Sequence, residues 1–73
     1  MTRVEYYVCA RDLLAARNAL KLTRDRMGDF AEKEQEAAWH ALETLWRTLW
    51  DGWDAVYPDE TNPFTADGVW TYP

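Results

Sequence analysis

The chain has 73 residues, a net charge of −5 and a single cysteine. This length predicts one domain, residues 1–73, whose core is marginal without a staple or a partner, and the lone cysteine excludes an internal disulfide and a zinc site. The start of the chain lacks a signal sequence and no apolar run reaches the ~18 residues of a membrane span, so we expect a cytoplasmic protein that does not enter membranes.

The first segment, TRVEYYVCA, fits two different structures. Thr2 and Glu5 have the spacing of a helix capping box. Val4, Tyr6 and Val8 alternate as in a strand, and valine and tyrosine favour β-structure. A helix here would extend the first helix, whereas a strand could pair with GVWTY near the other end or offer a free edge to another chain. We favour a short strand or extended segment.

The first predicted helix spans residues 12–27. Its apolar residues recur at helical spacing: Leu13, Ala16, Leu20 and Met27. The run RDRMGDFAEKE then predicts a turn, because Gly28 suits the left-handed position that follows a helix. Asp29 with Glu32 would form the capping box of the next helix.

The second predicted helix spans residues 30–57 and carries two apolar stripes. On a wheel of ~100° per residue, one side of Leu42 holds the aromatic stripe: Trp39, Trp46, Trp50, Trp53 and Tyr57. The other side of Leu42 holds smaller side chains: Ala38, Leu45, Leu49 and Val56. Together the stripes span roughly 140°, more than the ~100° that one packing face requires. Helix two, which Pro58 ends, therefore has more apolar surface than one neighbouring helix covers.

The tail PDETNPFTADGVWTYP has no helical period, and its prolines and DG pair predict turns. It also contains apolar side chains that a disordered segment seldom carries: Phe64, Val69, Trp70 and Tyr72. Either the tail packs back over the tryptophan stripe and completes the core, or part of the stripe stays exposed as an interface. The predicted fold is mainly α, a helical hairpin with a short N-terminal strand and an aromatic C-terminal tail packing back.

Charge divides the chain into two halves. Up to Gly28 there are six basic and three acidic residues, whereas the rest has ten acidic and two basic residues. In one interpretation the two halves are neighbouring helices whose charged faces are complementary. In the other, the acidic residues form a rim that binds a basic protein surface or mimics nucleic acid. We expect no direct binding to nucleic acid, because the tryptophans are interleaved with Asp and Glu, which repel phosphates.

Sequence features of catalysis and of cofactor binding are weak. Serine is absent, and Cys9 with His40 is the one Cys/His pairing, with both residues in surroundings typical of structural positions. Glu36, His40 and Glu43 share one face of helix two, but a single histidine without a second motif fits a solvated face better than a metal site. No glycine-rich phosphate loop occurs. We therefore predict no enzymatic activity, no metal and no cofactor.

With enzymatic, metal-binding and membrane functions set aside, the sequence predicts a small protein that acts by binding to the surface of another protein. In its length, its Trp-rich acidic character and its N-terminal RVEYYV, the chain resembles the small phage-encoded regulators that bind host RNA polymerase. The resemblance implies a host-protein partner, RNA polymerase, met in the host cytoplasm. It also implies inhibition of transcription initiation and antitermination without catalysis.

The predicted partner-binding residues come from the residues themselves rather than from the resemblance. They are Val4, Glu5, Tyr6 and Tyr7 in an extended segment, and Trp46, Trp50 and Trp53 as aromatic anchors. Each of them could instead belong to the core. Two other hypotheses remain open: a homodimer in which two hairpins bury their tryptophan stripes in a four-helix bundle, and an acidic mimic of nucleic acid.

Overall fold

The computed structural model describes residues 1–64, which form two antiparallel helices joined by a tight turn. Helix α1 is Arg3–Met27 and helix α2 is Glu32–Val56, so the helical hairpin predicted from the sequence is confirmed. Within residues 1–64 there is no strand. The predicted packing of Val69, Trp70 and Tyr72 falls outside these residues. Neither helix in this part of the chain is long and apolar enough to cross a bilayer.

The N-terminal segment is helical, and the strand favoured from its sequence is wrong. The backbone N–H of Glu5 donates to Thr2 Oγ1 at 3.2 Å, and the Thr2 N–H donates to Glu5 Oε1 at 2.8 Å. This reciprocal capping box satisfies N–H groups that a helix start leaves without intrahelical partners. Helix α1 therefore begins at Arg3, nine residues before the predicted start.

Burial along this segment also follows a helical period rather than a strand period. Tyr6, Ala10 and Leu13, which are four and three residues apart, are all buried against α2 and the tail. A strand would have placed Val4 and Val8 beside Tyr6, yet both valines are exposed. Burial of one helical face outweighs the modest β preference of valine and tyrosine.

The turn between the helices differs in its capping from the sequence prediction. Gly28 has a φ of 60°, which suits glycine, and its N–H donates to the Arg24 carbonyl at 3.0 Å. The predicted capping box of Asp29 with Glu32 is wrong. The N-cap of α2 is Ala31, which adopts the left-handed conformation and provides no side-chain cap.

A buried glutamine stabilises this turn by donating to its carbonyl groups. Gln35 Nε2 donates to the Gly28 carbonyl at 3.1 Å and to the Phe30 carbonyl at 2.6 Å. Both carbonyls belong to the turn, so the first turn of α2 holds the connection in place. An amide side chain can be buried here because its donors are satisfied.

The core is aromatic and lies between the helices at the end remote from the turn. Its buried members are Tyr6, Ala10, Leu13, Trp46, Trp53 and Phe64. The Tyr6 and Trp53 rings pack edge to face with centroids 5.6 Å apart, and Trp46 and Phe64 do so at 4.9 Å. Edge-to-face contacts between aromatic rings stabilise the fold by more than the burial of their apolar area alone.

The tail packs back along α2 as far as the described residues extend, and a buried asparagine anchors it. Asn62 Nδ2 donates to the Trp50 carbonyl at 3.2 Å and to Asp54 Oδ1 at 3.0 Å, while Asn62 Oδ1 accepts from the Phe64 N–H at 2.8 Å. Trp46 Nε1 then donates to the Phe64 carbonyl at 3.0 Å. These bonds seat Phe64, which is fully buried, over the tryptophans.

Candidate protein-interaction surfaces

The four N-terminal candidates lie on the first two turns of α1, where they point in different directions. Tyr6 is a core residue, and Glu5 is engaged in the capping box. Val4 and Tyr7 point outward, with 70% and 52% of their surface exposed. The hypothesis of an extended segment that offers its backbone to a partner is wrong, because this backbone is hydrogen-bonded within a helix.

Tyr7 is half-exposed, and its ring also contacts the core. Its ring meets the buried Trp53 edge to face, with centroids 5.6 Å apart and planes at 79°. Val4 and Arg11, one turn away on either side, are exposed, and Val8 is at the edge of the same surface. We call this surface the α1 outer face and define it as Val4, Tyr7, Val8 and Arg11. It combines an aromatic ring that packs on Trp53 with apolar and cationic neighbours.

The three tryptophan candidates separate into two core residues and one residue at the boundary. Trp46 and Trp53 are only 2% and 1% exposed, so the interpretation of these side chains as core is confirmed. Trp50 is half-buried, packs against the core cluster and has the Arg47 guanidinium 5.6 Å from its ring centroid. Of the three, Trp50 alone shows part of its ring to solvent in this structure.

An exposed ion pair between Arg3 and Glu60 lies beside the α1 outer face and joins α1 to the tail. Arg3 Nε donates to Glu60 Oε2 at 2.7 Å, and the Arg3 guanidinium lies 4.9 Å from the Tyr57 ring centroid. The hydrogen bond to Glu60 raises the pKa of Arg3 above its usual value. Because both side chains are exposed, the pair orients the chain more than it stabilises the fold.

An apolar groove runs along the opposite flank of the hairpin from the tail. Its volume is about 390 Å³, and its lining consists of Cys9, Asp12, Leu13, Ala16, Leu45 and Leu49. We call it the leucine groove. The sequence prediction that helix two has more apolar surface than one neighbour covers is confirmed, because Leu45 and Val56 remain 47% and 57% exposed. The uncovered surface is the stripe of smaller side chains and not the tryptophan stripe.

The polar cluster around His40 lies on the surface of α2. His40 Nδ1 lies 3.8 Å from Glu43 Oε1, and both side chains are open to solvent. In the part of the chain that the structure describes, no group of three or more His, Cys, Asp or Glu side chains could hold a metal ion.

Comparison with family models, with curated proteins and with solved structures finds no match for this chain. Its function must therefore be inferred from these surfaces.

Proposed function

We propose that this chain is a non-enzymatic, phage-encoded regulator that binds another protein through the α1 outer face. The partner is the host RNA polymerase that the resemblance implies, with inhibition of initiation and antitermination as the consequences. The observation that carries the proposal is the state of Tyr7, whose ring is half-exposed and fixed edge to face on Trp53.

A tyrosine in this state suits a binding anchor. Tyrosine and arginine are enriched among the few residues that dominate the energy of an interface. Since Trp53 and helix α1 already restrict the Tyr7 ring, little side-chain freedom remains to be lost on binding. Val4 and Val8 would exclude water around the ring, and Arg11 would reach an acceptor at the rim.

The charge of α2 defines the chemistry of the partner. Its exposed arc carries mainly carboxylates: Glu36, Glu43, Asp51 and Asp54. A complementary surface has an apolar pocket for Tyr7 and basic residues at the side that meets α2. Such a pattern speeds encounter with a basic protein surface and disfavours acidic partners.

The binding experiment uses purified RNA polymerase core enzyme and holoenzyme from a bacterium with a GC-rich genome, since arginine outnumbers lysine in this chain. We expect saturable binding at moderate salt that Tyr7→Ala weakens roughly tenfold or more. Leu22→Ala is the matched control, because Leu22 is an exposed apolar residue farther along the same helix. Equal binding by wild type and Tyr7→Ala, or no binding by wild type, would contradict the proposal.

A transcription assay tests the consequence of binding. Wild-type protein should reduce initiation from a linear template and increase read-through at a terminator, whereas Tyr7→Ala should do neither at the same concentration. Binding that disappears steeply between low and moderate salt would instead indicate an acidic mimic of nucleic acid and would overturn an anchor-based interface.

A further inference from the structure

Helix α2 carries a second packing stripe that the hairpin covers only in part. The positions Ala38, Leu42, Leu45, Leu49, Gly52 and Val56 are spaced alternately by four and three residues. This is the spacing of helices that pack at a small angle in bundles and coiled coils. Leu42 and Leu49 are half-buried against the core, and Gly52 lies against Tyr6. Leu45 and Val56 are exposed, so the uncovered part of the stripe borders the leucine groove.

This flank of α2 is free of charge over five turns. Between residues 37 and 56 the charged side chains and His40 project from a different arc of the helix. The arc next to the leucine groove contains alanine, threonine, leucine, glycine and valine. The exposed face of a helix normally carries charged and polar residues, whereas small uncharged side chains allow a neighbouring helix to approach closely.

We infer that the leucine groove and this flank of α2 bind a second copy of the chain, which gives an antiparallel four-helix bundle. The charges of the two helices favour this occupant. Helix α1 has six basic and three acidic residues, and α2 has six acidic and two basic residues. A two-fold axis parallel to the helices places α1 of one copy antiparallel to α2 of the other. Basic and acidic helices then alternate around the bundle.

The surface is large enough for such a dimer. Residues 37–56 form a face about 29 Å long at ~1.5 Å per residue, and the hairpin is 20 Å wide. The contact would therefore bury on the order of 600 Å² per copy, near the lower end of stable interfaces. A 73-residue chain with one small aromatic core also gains most from a second layer of helices.

The molar mass in solution tests the inference directly. Sedimentation equilibrium of the full chain should give twice the monomer mass from low micromolar concentrations upward. Leu45→Lys should shift the protein to monomer, because it places a charge in the centre of the contact. Leu22→Lys, the same change at an exposed leucine on the outer side of α1, should remain dimeric. A wild-type monomer at hundreds of micromolar overturns the inference.

Cys9 reports on the same contact without any mutation. It is the one cysteine of the chain, it is partly accessible, and it lines the leucine groove. Alkylation by a maleimide should slow as the protein concentration rises through the dimerisation range, and the alkylated chain should be monomeric. A labelling rate independent of concentration, or an alkylated protein that still dimerises, overturns the inference.

The dimer and the proposed regulator function can fail separately. No residue of the α1 outer face lines the leucine groove, so Leu45→Lys should still bind RNA polymerase while Tyr7→Ala should still dimerise. Loss of both dimerisation and polymerase binding in Leu45→Lys, with helical content unchanged, would contradict the placement of two distinct surfaces. If the wild-type protein dimerises but does not bind RNA polymerase, the dimer is supported and the proposed regulator function is contradicted.

Discussion

Gly52 and Tyr6 meet across the helix–helix interface so closely that a side chain at position 52 would collide with the Tyr6 hydroxyl. A Cβ on Gly52 would lie 2.9 Å from Tyr6 Oη, and 3.6 and 3.7 Å from the two nearest ring carbons. The Tyr6 ring cannot move away freely, because it packs edge to face on Trp53, Tyr57 and Phe64. The glycine therefore makes room for the phenol in the core.

Gly52→Ala should destabilise the fold even though alanine is the better helix former. The helix preference would contribute up to about 1 kcal/mol in favour of alanine, but overpacking costs about 1 to 3 kcal/mol. Tyr6→Phe removes the hydroxyl and leaves only ordinary contact distances. In urea unfolding we expect Gly52→Ala to lower stability in the wild-type background and to raise it in the Tyr6→Phe background. The same effect in both backgrounds would refute the steric explanation.

The second prediction concerns Asn62, which ties the tail to α2. Asn62→Ala should lower the free energy of unfolding by about 2 to 3 kcal/mol, because the Phe64 N–H loses its acceptor and Asp54 loses a donor. Trp46, under Phe64, should become more accessible to a fluorescence quencher.

Asn62→Asp is the matched variant for this prediction. It keeps an oxygen for the Phe64 N–H but loses both donated bonds and places a carboxylate beside Asp54. We expect it to be as damaging as Asn62→Ala near neutral pH and to recover stability in acid, when the repulsion is removed. A neutral effect of both variants would show that the tail does not depend on this anchor.

Local sequence patterns predict the hairpin well, because helix period and helix termination depend on neighbouring residues. The apolar repeat of α2 and Gly28 lead to the correct order of the helices and to ends within two residues, except at the start of α1. The strand favoured for residues 3–8 failed because β preferences are weak beside the capping box of Thr2 and Glu5. Both signals were present in the sequence, and the burial of Tyr6 decided between them.

The surfaces are less predictable, because they depend on contacts between distant residues. Tyr7 and Val4 were among the predicted partner-binding residues, and their exposure keeps them available. The leucine groove was not predicted as a site, since a helical wheel does not tell which flank of a wide apolar arc faces α1. The hydrogen bonds of Asn62 place Phe64 against the tryptophans, so the tail covers the tryptophan stripe and leaves the stripe of smaller side chains uncovered.

The third prediction separates the core from the α1 outer face through stability alone. Trp53→Ala empties the centre of the aromatic cluster and should cost about 3 to 5 kcal/mol, a large part of the stability of so small a domain. Tyr7→Ala removes one edge contact and should cost about 1 kcal/mol. Guanidinium unfolding monitored by circular dichroism measures both. Equal losses would mean that Tyr7 is a core residue and would remove it as a binding anchor.

The fourth prediction is a pH dependence at the start of α1. The hydrogen bond from the Thr2 backbone N–H, followed by the interaction with the Thr2 side chain, lowers the pKa of Glu5 below its ordinary 4.5. Because the folded pKa lies below the unfolded pKa, the contribution of Glu5 to stability is complete above about pH 4.5 and is lost as the pH falls through the folded value.

Glu5→Gln isolates this carboxylate from the other acids of the chain. The amide oxygen can still accept from the Thr2 N–H, but it does not ionise. We expect wild type to be more stable than Glu5→Gln near neutral pH, and the difference in urea midpoint to disappear as the pH falls below about 4.5. Because the other carboxyl groups titrate in both proteins, their effect cancels in the difference. A difference that stays constant over this range would mean that the charge of Glu5 does not stabilise the first turn of α1.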